Sequence, residues 1–304
     1  MDRFSALLDL INDAEGGGLL VQPVAVSGLS GAVLLGTLQR IAKHQEASGC
    51  YAEIGVFQGL TLISVAKAIS GKAYGIDNFS QFDPTARNKS IVEDRIAKNA
   101  IENVALVNRD YEDALDGWPV DQKISTYFVD GPHDYRSQLM CLLLALPLLS
   151  HDAVIVVDDS NYRHVRQANC DFLKTHPEFA LLFEAYTARH PENMSRADRQ
   201  EAERGWWNGV NIIVRDAGRT LPRTYPPTDR DRTLFVNEHI VHAARYAAIA
   251  PEAVSMLSAF PNPYRMALYL AKIMRGARKK PSLVGEHPAM NTFSQDLPKR
   301  KAAR

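Results

Sequence analysis

The chain has 304 residues, 46% hydrophobic and 23% charged, and its 35 Lys and Arg balance 35 Asp and Glu. A net charge of zero excludes nucleic-acid binding through a basic surface, and the length suits one large α/β domain with additions or two small domains. Cys50, Cys141 and Cys170 sit in or beside apolar runs without C-x-x-C spacing. They read as buried thiols of a reducing compartment, neither a disulfide framework nor a zinc site. Met1 to Phe4 lacks the basic and apolar regions of a secretory signal, and the longest apolar stretch, Leu139 to Leu149, is too short for a membrane span and contains Pro147. A soluble, cytoplasmic protein is expected.

Residues 4 to 11 have helical spacing and end at Gly16-Gly17-Gly18; Ser30 to His44 is a second helix. Regular alternation follows: strand 51–55, helix 60–69, strand 73–77, helix 88–100, strands 104–107 and 124–130, helix 135–149, strand 153–158 and helix 163–174. Apolar strand runs alternating with amphipathic helices predict a parallel sheet covered on both faces. Two further strands, Leu181 to Tyr186 and Val210 to Val214, flank the very polar segment Arg189 to Arg204. With no apolar helix between them they should close the sheet as an antiparallel hairpin, because a parallel connection needs a covering crossover. The fold class is therefore α/β: a doubly wound, mostly parallel, seven-stranded sheet with N-terminal helices and a C-terminal helical extension. The organisation read from this is an N-terminal helical segment (1–29), a ligand-binding domain (30–216), a Pro-, Arg- and Thr-rich linker (217–235), helices (236–280) and a basic tail (281–304). From Lys272 onward nine Lys and Arg face two acids, so the tail reads as solvated and disordered.

Tyr51-Ala52-Glu53-Ile54-Gly55-Val56-Phe57-Gln58-Gly59 carries the strongest chemical signal, together with Tyr74-Gly75-Ile76-Asp77. Strand, glycine turn, helix, strand, acid is the order by which a parallel α/β sheet holds a nucleoside. Glycine lets the backbone approach the ligand, and Asp77 would accept from two ribose hydroxyls. Phe57 stands where a dinucleotide turn has its middle glycine and would crowd a pyrophosphate. Glu53 suits a cationic or zwitterionic ligand.

Two more strands end in acids: Phe128-Val129-Asp130-Gly131-Pro132-His133 and Val156-Val157-Asp158-Asp159. If the strands are neighbours, these acids share a rim with Gly55 and Asp77. Carboxylates so close repel, which raises a pKa or calls for a cation. Asp130, Asp158 and Asp159 would supply three oxygen ligands to Mg²⁺, or less often Mn²⁺. The alternative is capping, with Asp159 and Ser160 starting the helix from Arg163. His133 is a fit general base for a hydroxyl, with His164 the next candidate.

The E-x-G-x-x-x-G turn with the distant Asp77 resembles the first two motifs of class I S-adenosylmethionine (SAM) methyltransferases. The aromatic at Phe57, the Asp130-Gly-x-His-x-Tyr run and the pair Asp158-Asp159 resemble the small-molecule O-methyltransferases of the macrocin and catechol type, over about Ser30 to Asp216. That resemblance implies SAM held by Glu53, Gly55, Phe57, Gly59 and Asp77, with Asp110 and Tyr111 around the adenine; Asp110 reads equally as a helix cap. It implies a divalent metal on the strand-end acids, Asp130 and His133 as catalytic residues, and a small hydroxylated acceptor such as a sugar or polyphenol. The segment Asn193 to Arg204 sits where a lid would lie. Of Trp206 and Trp207, one should line the pocket and one should be core. The competing classes are an NAD-dependent oxidoreductase, disfavoured by Phe57 and the closing hairpin, and a non-catalytic nucleoside-binding scaffold. The apolar residues of 236–280 need a partner, either a neighbouring subunit of a homo-oligomer or the acceptor cleft.

Overall fold

A computed structural model describes residues 2–83, 85–118, 122–188 and 190–228, with 262, 266–267, 270–271 and 300–302. Its centre is a mixed sheet in the order β3-β2-β1-β4-β5-β7-β6-β8. The parallel part comprises β1 (Cys50–Ile54), β2 (Ala73–Ile76), β3 (Val104–Val107), β4 (Ile124–Val129) and β5 (Leu149–Val157). β6 (Phe179–Ala185) and β7 (Val210–Arg215) pair antiparallel, and β7 inserts beside β5. The expected closing hairpin is thus present.

Every residue of β1, β4 and β6 is buried, as strands covered on both faces require. One face carries α1 (Arg3–Gly17), α2 (Ala32–Gln45), α3 (Leu60–Ala68) and α4 (Asn88–Lys98), whose Leu7, Ile11, Leu34, Leu38, Leu62 and Val92 pack on Tyr51, Phe128 and Val156. The other face carries α5 (Tyr111–Asp116), α6 (Tyr135–Ala145) and α7 (Arg163–Thr175), packed on Ile54, Tyr127 and Ile155. All three cysteines are free and buried. No helix among the described residues is long and apolar enough to cross a membrane.

The structure departs from the sequence expectations in four places. Helix α6 stops at Ala145 and β5 begins at Leu149, because Pro147 cannot donate to a helical ladder. The short α5 lies outside the predicted elements and gives Asp110 its alternative reading as a helix cap, accepting from Glu112 N at 2.9 Å. The polar connection contains α8 (Arg196–Arg204), capped by Ser195 and buried only at Ala202. The expected seven strands become eight, since Arg300–Ala302 of the basic tail forms β8 on the edge of β6. Residues 217–228 contain no helix or strand, and nearly all of the expected C-terminal helices lie outside the described residues.

After β1 the chain builds β2 and β3 to one side, then returns to place β4 and β5 on the other. The reversal leaves a crevice at the carboxyl ends of β1 and β4, where open α/β sheets bind ligands.

Candidate active site

The crevice begins at Gly55, where the chain leaves β1 with φ +88°. A Cβ there would lie 1.8 Å from the carbonyl oxygen of Asp130. Glycine is therefore required by the close approach of β4 as well as by any ligand. Phe57 (φ +49°) and Gly59 (φ +83°) complete the turn, and Gly59 starts α3. A left-handed aromatic residue is uncommon and belongs with functional turns.

Asp77 fastens this turn. Its Oδ2 accepts from Val56 N at 2.9 Å and Phe57 N at 2.8 Å, and its Oδ1 from Phe79 N at 2.7 Å. A carboxylate has about four acceptor positions, so one remains for a ligand hydroxyl. Asp110 is exposed and joins Asn78 Nδ2 at 3.4 Å as well as capping α5. Tyr111 is buried beside it, with its hydroxyl donating to Glu112.

These residues line a cavity of about 290 Å³, near the lower end of the range for small-molecule sites. Gly55, Phe57, Asp77, Asp110, Tyr111, Asp130 and Asp159 all reach its wall. Glu53, Gly59, His133 and Asp158 do not. Sequence reasoning missed Gly28, Leu29 and Ser30 ahead of α2, Gln81 and Phe82 after β2, and Tyr162 and His190. Their only local signal is position, after a strand or before a helix, and that signal is weak. Trp207 lines the cavity, whereas Trp206 packs on Phe183 with ring centroids 5.0 Å apart.

Glu53 is fully buried, and its carboxylate accepts from Tyr51 Oη at 2.6 Å and Thr61 Oγ1 at 3.1 Å. Side chains of a strand alternate between faces, and position 53 points with Tyr51 toward α3. Burial pushes its carboxyl up to about 8, against the pull of the two hydroxyl contacts. The folded protein therefore holds this proton more tightly than the unfolded chain does. That contribution is fully present below the ordinary carboxyl value of 4.5 and is lost as pH rises through about 8. Glu53→Gln keeps the volume and the hydrogen-bonding capacity. It should reduce the loss of stability between pH 5 and pH 8.5, read as the urea midpoint; equal losses in both proteins would refute the assignment.

Beyond β1, at the ends of β4 and β5, the strand-end acids separate. Asp159 leaves β5 with φ +52° and turns to the rim. Its Oδ2 lies 2.9 Å from His133 Nε2, and Asp130 Oδ1 lies 3.8 Å from the same nitrogen. One oxygen or nitrogen from each of Asp130, His133 and Asp159 fits within a 4.8 Å group. Asp158 is not in that group. It is buried, and its Oδ1 accepts from Asp159 N at 2.8 Å. Of the expected set Asp130, Asp158 and Asp159, the group brings together Asp130 and Asp159 with His133, and Asp158 stands apart because its carboxylate is held by the backbone N–H of Asp159.

Burial pushes the Asp130 carboxyl up to about 7; contact with His133 opposes this, and the charge of Asp159 adds to it. Burial disfavours the His133 imidazolium, but the charge of Asp159 and contacts with both acids outweigh it and raise the group to about 9. Asp158 is driven well above the usual carboxylate range by burial, then by Asp130 and Asp159. The His133 ring lies tilted against Tyr162, and Tyr162 stacks on His190, with centroids 5.0 and 5.8 Å apart. His164, the other candidate base, is buried in the first turn of α7 and away from the cavity wall.

Residues 52–160, which carry the glycine turn and every strand-end acid above, match the family described as a methyltransferase domain. Among solved structures, the domain is similar to a cofactor-bound protein from MTB at 16% identity and a TM-score of 0.47, over 71% of this chain and 91% of that one. It is similar to the O-methyltransferase TomG of Streptomyces achromogenes, solved with SAM, at 17% identity and a TM-score of 0.46, over 71% and 90%. An O-methyltransferase from Bacillus cereus, solved with SAH, aligns at 14% identity and a TM-score of 0.45, over 70% and 90%. Likeness of this degree bears on neither cofactor nor acceptor. No curated protein matches the chain.

Proposed function

We propose that this protein is a SAM-dependent O-methyltransferase acting on a hydroxyl of a small metabolite. The observation that carries the reading is one cavity at the switch point of the sheet, lined by two chemically distinct sets of residues. One set, Gly55, Phe57, Asp77, Asp110 and Tyr111, has the turn, acid and aromatic that suit a nucleoside. The other, Asp130, Asp159, Tyr162, His190 and Trp207, combines carboxylates with rings. Carboxylates along the wall favour a cationic sulfonium over a diphosphate, and Phe57 on the same wall supports this by crowding the turn where a dinucleotide site has glycine.

Methyl transfer is an in-line displacement, so the residues serve to align acceptor oxygen and methyl and to remove the hydroxyl proton. Asp130 faces the cavity and titrates near neutrality, the condition for an effective general base. His133 lies behind it as its charge partner, and the proton-accepting role expected of the histidine passes to Asp130. Tyr162, His190 and Trp207 offer flat apolar faces that hold the acceptor and exclude water.

The Asp130, His133 and Asp159 donors fit a divalent cation. One imidazole with two carboxylates suits Mn²⁺ better than Mg²⁺. A cation there would take up the Asp130 carboxylate and itself lower the pKa of an acceptor hydroxyl, so the Asp130 base belongs to the cation-free site.

Calorimetry tests the cofactor assignment: S-adenosylhomocysteine (SAH) should bind and NAD should not. Asp77→Ala should weaken SAH by about 1.5–3 kcal/mol, the scale of a hydrogen bond to a charged group. An unchanged dissociation constant would remove Asp77 from the ribose site. SAH binding without methyl transfer to any member of an acceptor library would point to a binding module instead.

A further inference from the structure

We infer that Asn208, on the turn ahead of β7, is a positioning residue that holds Asp159 in the Asp130–His133–Asp159 group and so sets that group's affinity for a divalent cation. The inference rests on the cation part of the reading above. Asn208 is fully buried, and its Nδ2 donates to Asp159 Oδ1 at 2.7 Å. The other oxygen of Asp159 is the one 2.9 Å from His133. One carboxylate oxygen is thereby engaged from outside, and rotation of the group is blocked with the second oxygen directed inward. The amide oxygen of Asn208 is buried without a hydrogen-bond partner among the described residues, a condition that native proteins seldom tolerate without a use for it.

The backbone around Asn208 is shaped to present it. Trp207 (φ +57°) and Gly209 (φ +85°) flank it in left-handed conformations, which a bulky residue such as tryptophan adopts only under constraint. The turn is bonded to the one that carries Asp159: Asn161 N donates to Asn208 O at 3.0 Å and Ser160 N to Gly209 O at 3.2 Å. A Cβ on Gly209 would lie 2.4 Å from Asn161 Oδ1. Asn161 is in turn tied to Thr187 at the end of β6 through its side-chain amide. Three strand ends therefore lock the distance between the Asn208 donor and its acid. Partners one step removed from metal ligands typically change metal affinity 10- to 100-fold when lost.

The test uses the full chain and Mn²⁺ alone, titrated by the paramagnetic resonance signal of the free ion, with SAH affinity measured on the same samples. Asn208→Ala removes the donor, and Asn208→Leu removes it while preserving volume, which protects against collapse of the turn. Both are expected to weaken Mn²⁺ roughly 10- to 100-fold and to leave SAH binding at the wild-type value. Mn²⁺ binding as tight as wild type in a variant that still binds SAH overturns the inference. So does parallel loss of SAH and Mn²⁺ in both variants, since the residue would then be scaffold. A wild-type chain that binds SAH but no Mn²⁺ overturns the inference and the cation together, leaving methyl transfer intact. A wild-type chain that binds Mn²⁺ but no SAH overturns the cofactor assignment instead.

Discussion

Gly55→Ala is expected to cost about 4 kcal/mol or more, at the upper end of single-residue effects, and to leave little folded protein. The added methyl would meet the Asp130 carbonyl oxygen at 1.8 Å and its carbon at 2.7 Å, on a residue already at φ +88°. No side-chain rotation relieves a contact with backbone. The backbone cannot withdraw either, because Asp130 N donates to Ile54 O at 2.9 Å and Ile54 pairs with Val129 in the two central strands. Gly71→Ala is the control: its Cβ would find only Glu46 Cβ, at 3.7 Å, and should be nearly silent. The measurement is soluble yield and urea midpoint. A Gly55→Ala protein with a midpoint near wild type would mean that β1 and β4 do not approach as described.

Asp130→Asn should lower methyl-transfer turnover by roughly 10²–10⁴, the range for a lost general base, while SAH affinity stays at the wild-type value. Asparagine fills the same volume and keeps contact with the His133 imidazole, but it cannot take the acceptor proton. Asp130 is chosen over its neighbours because it lines the cavity and Asp158 and His133 do not. The readout is transfer from labelled SAM to an acceptor identified by library screening. Full turnover by Asp130→Asn would place the base elsewhere. A parallel fall in SAH affinity would make the residue part of cofactor binding.

Much of this arrangement was legible in the chain because its signals are local. Two-residue and 3.6-residue periodicities report burial face by face. They located the parallel strands and the helices over them, and the polar Arg189–Arg204 segment foretold the antiparallel close. The Gly55 turn and Asp77 were visible because a strand-end glycine and a following strand-end acid leave few alternative roles. The polar α8 carries no long apolar stripe, and α5 is marked in the chain only by the capping residue Asp110.

By itself, the sequence determined the alternation of strands and helices, the chain reversal between β6 and β7, the cavity-side positions of Phe57 and Asp77, and the presence of acids at two neighbouring strand ends. Tertiary structure alone decided which acids meet. Adjacent carboxylates such as Asp158 and Asp159 are equivalent in sequence, and a single left-handed residue sends one to the rim and the other into the backbone. The same applies to Glu53, whose place before the glycine turn suggested a ligand contact but whose strand register points it at Tyr51 and Thr61. Asn208 is 49 residues from Asp159 in the chain and 2.7 Å away in space. No periodicity encodes such a contact, because it depends on β7 inserting beside β5 rather than on any property of either segment.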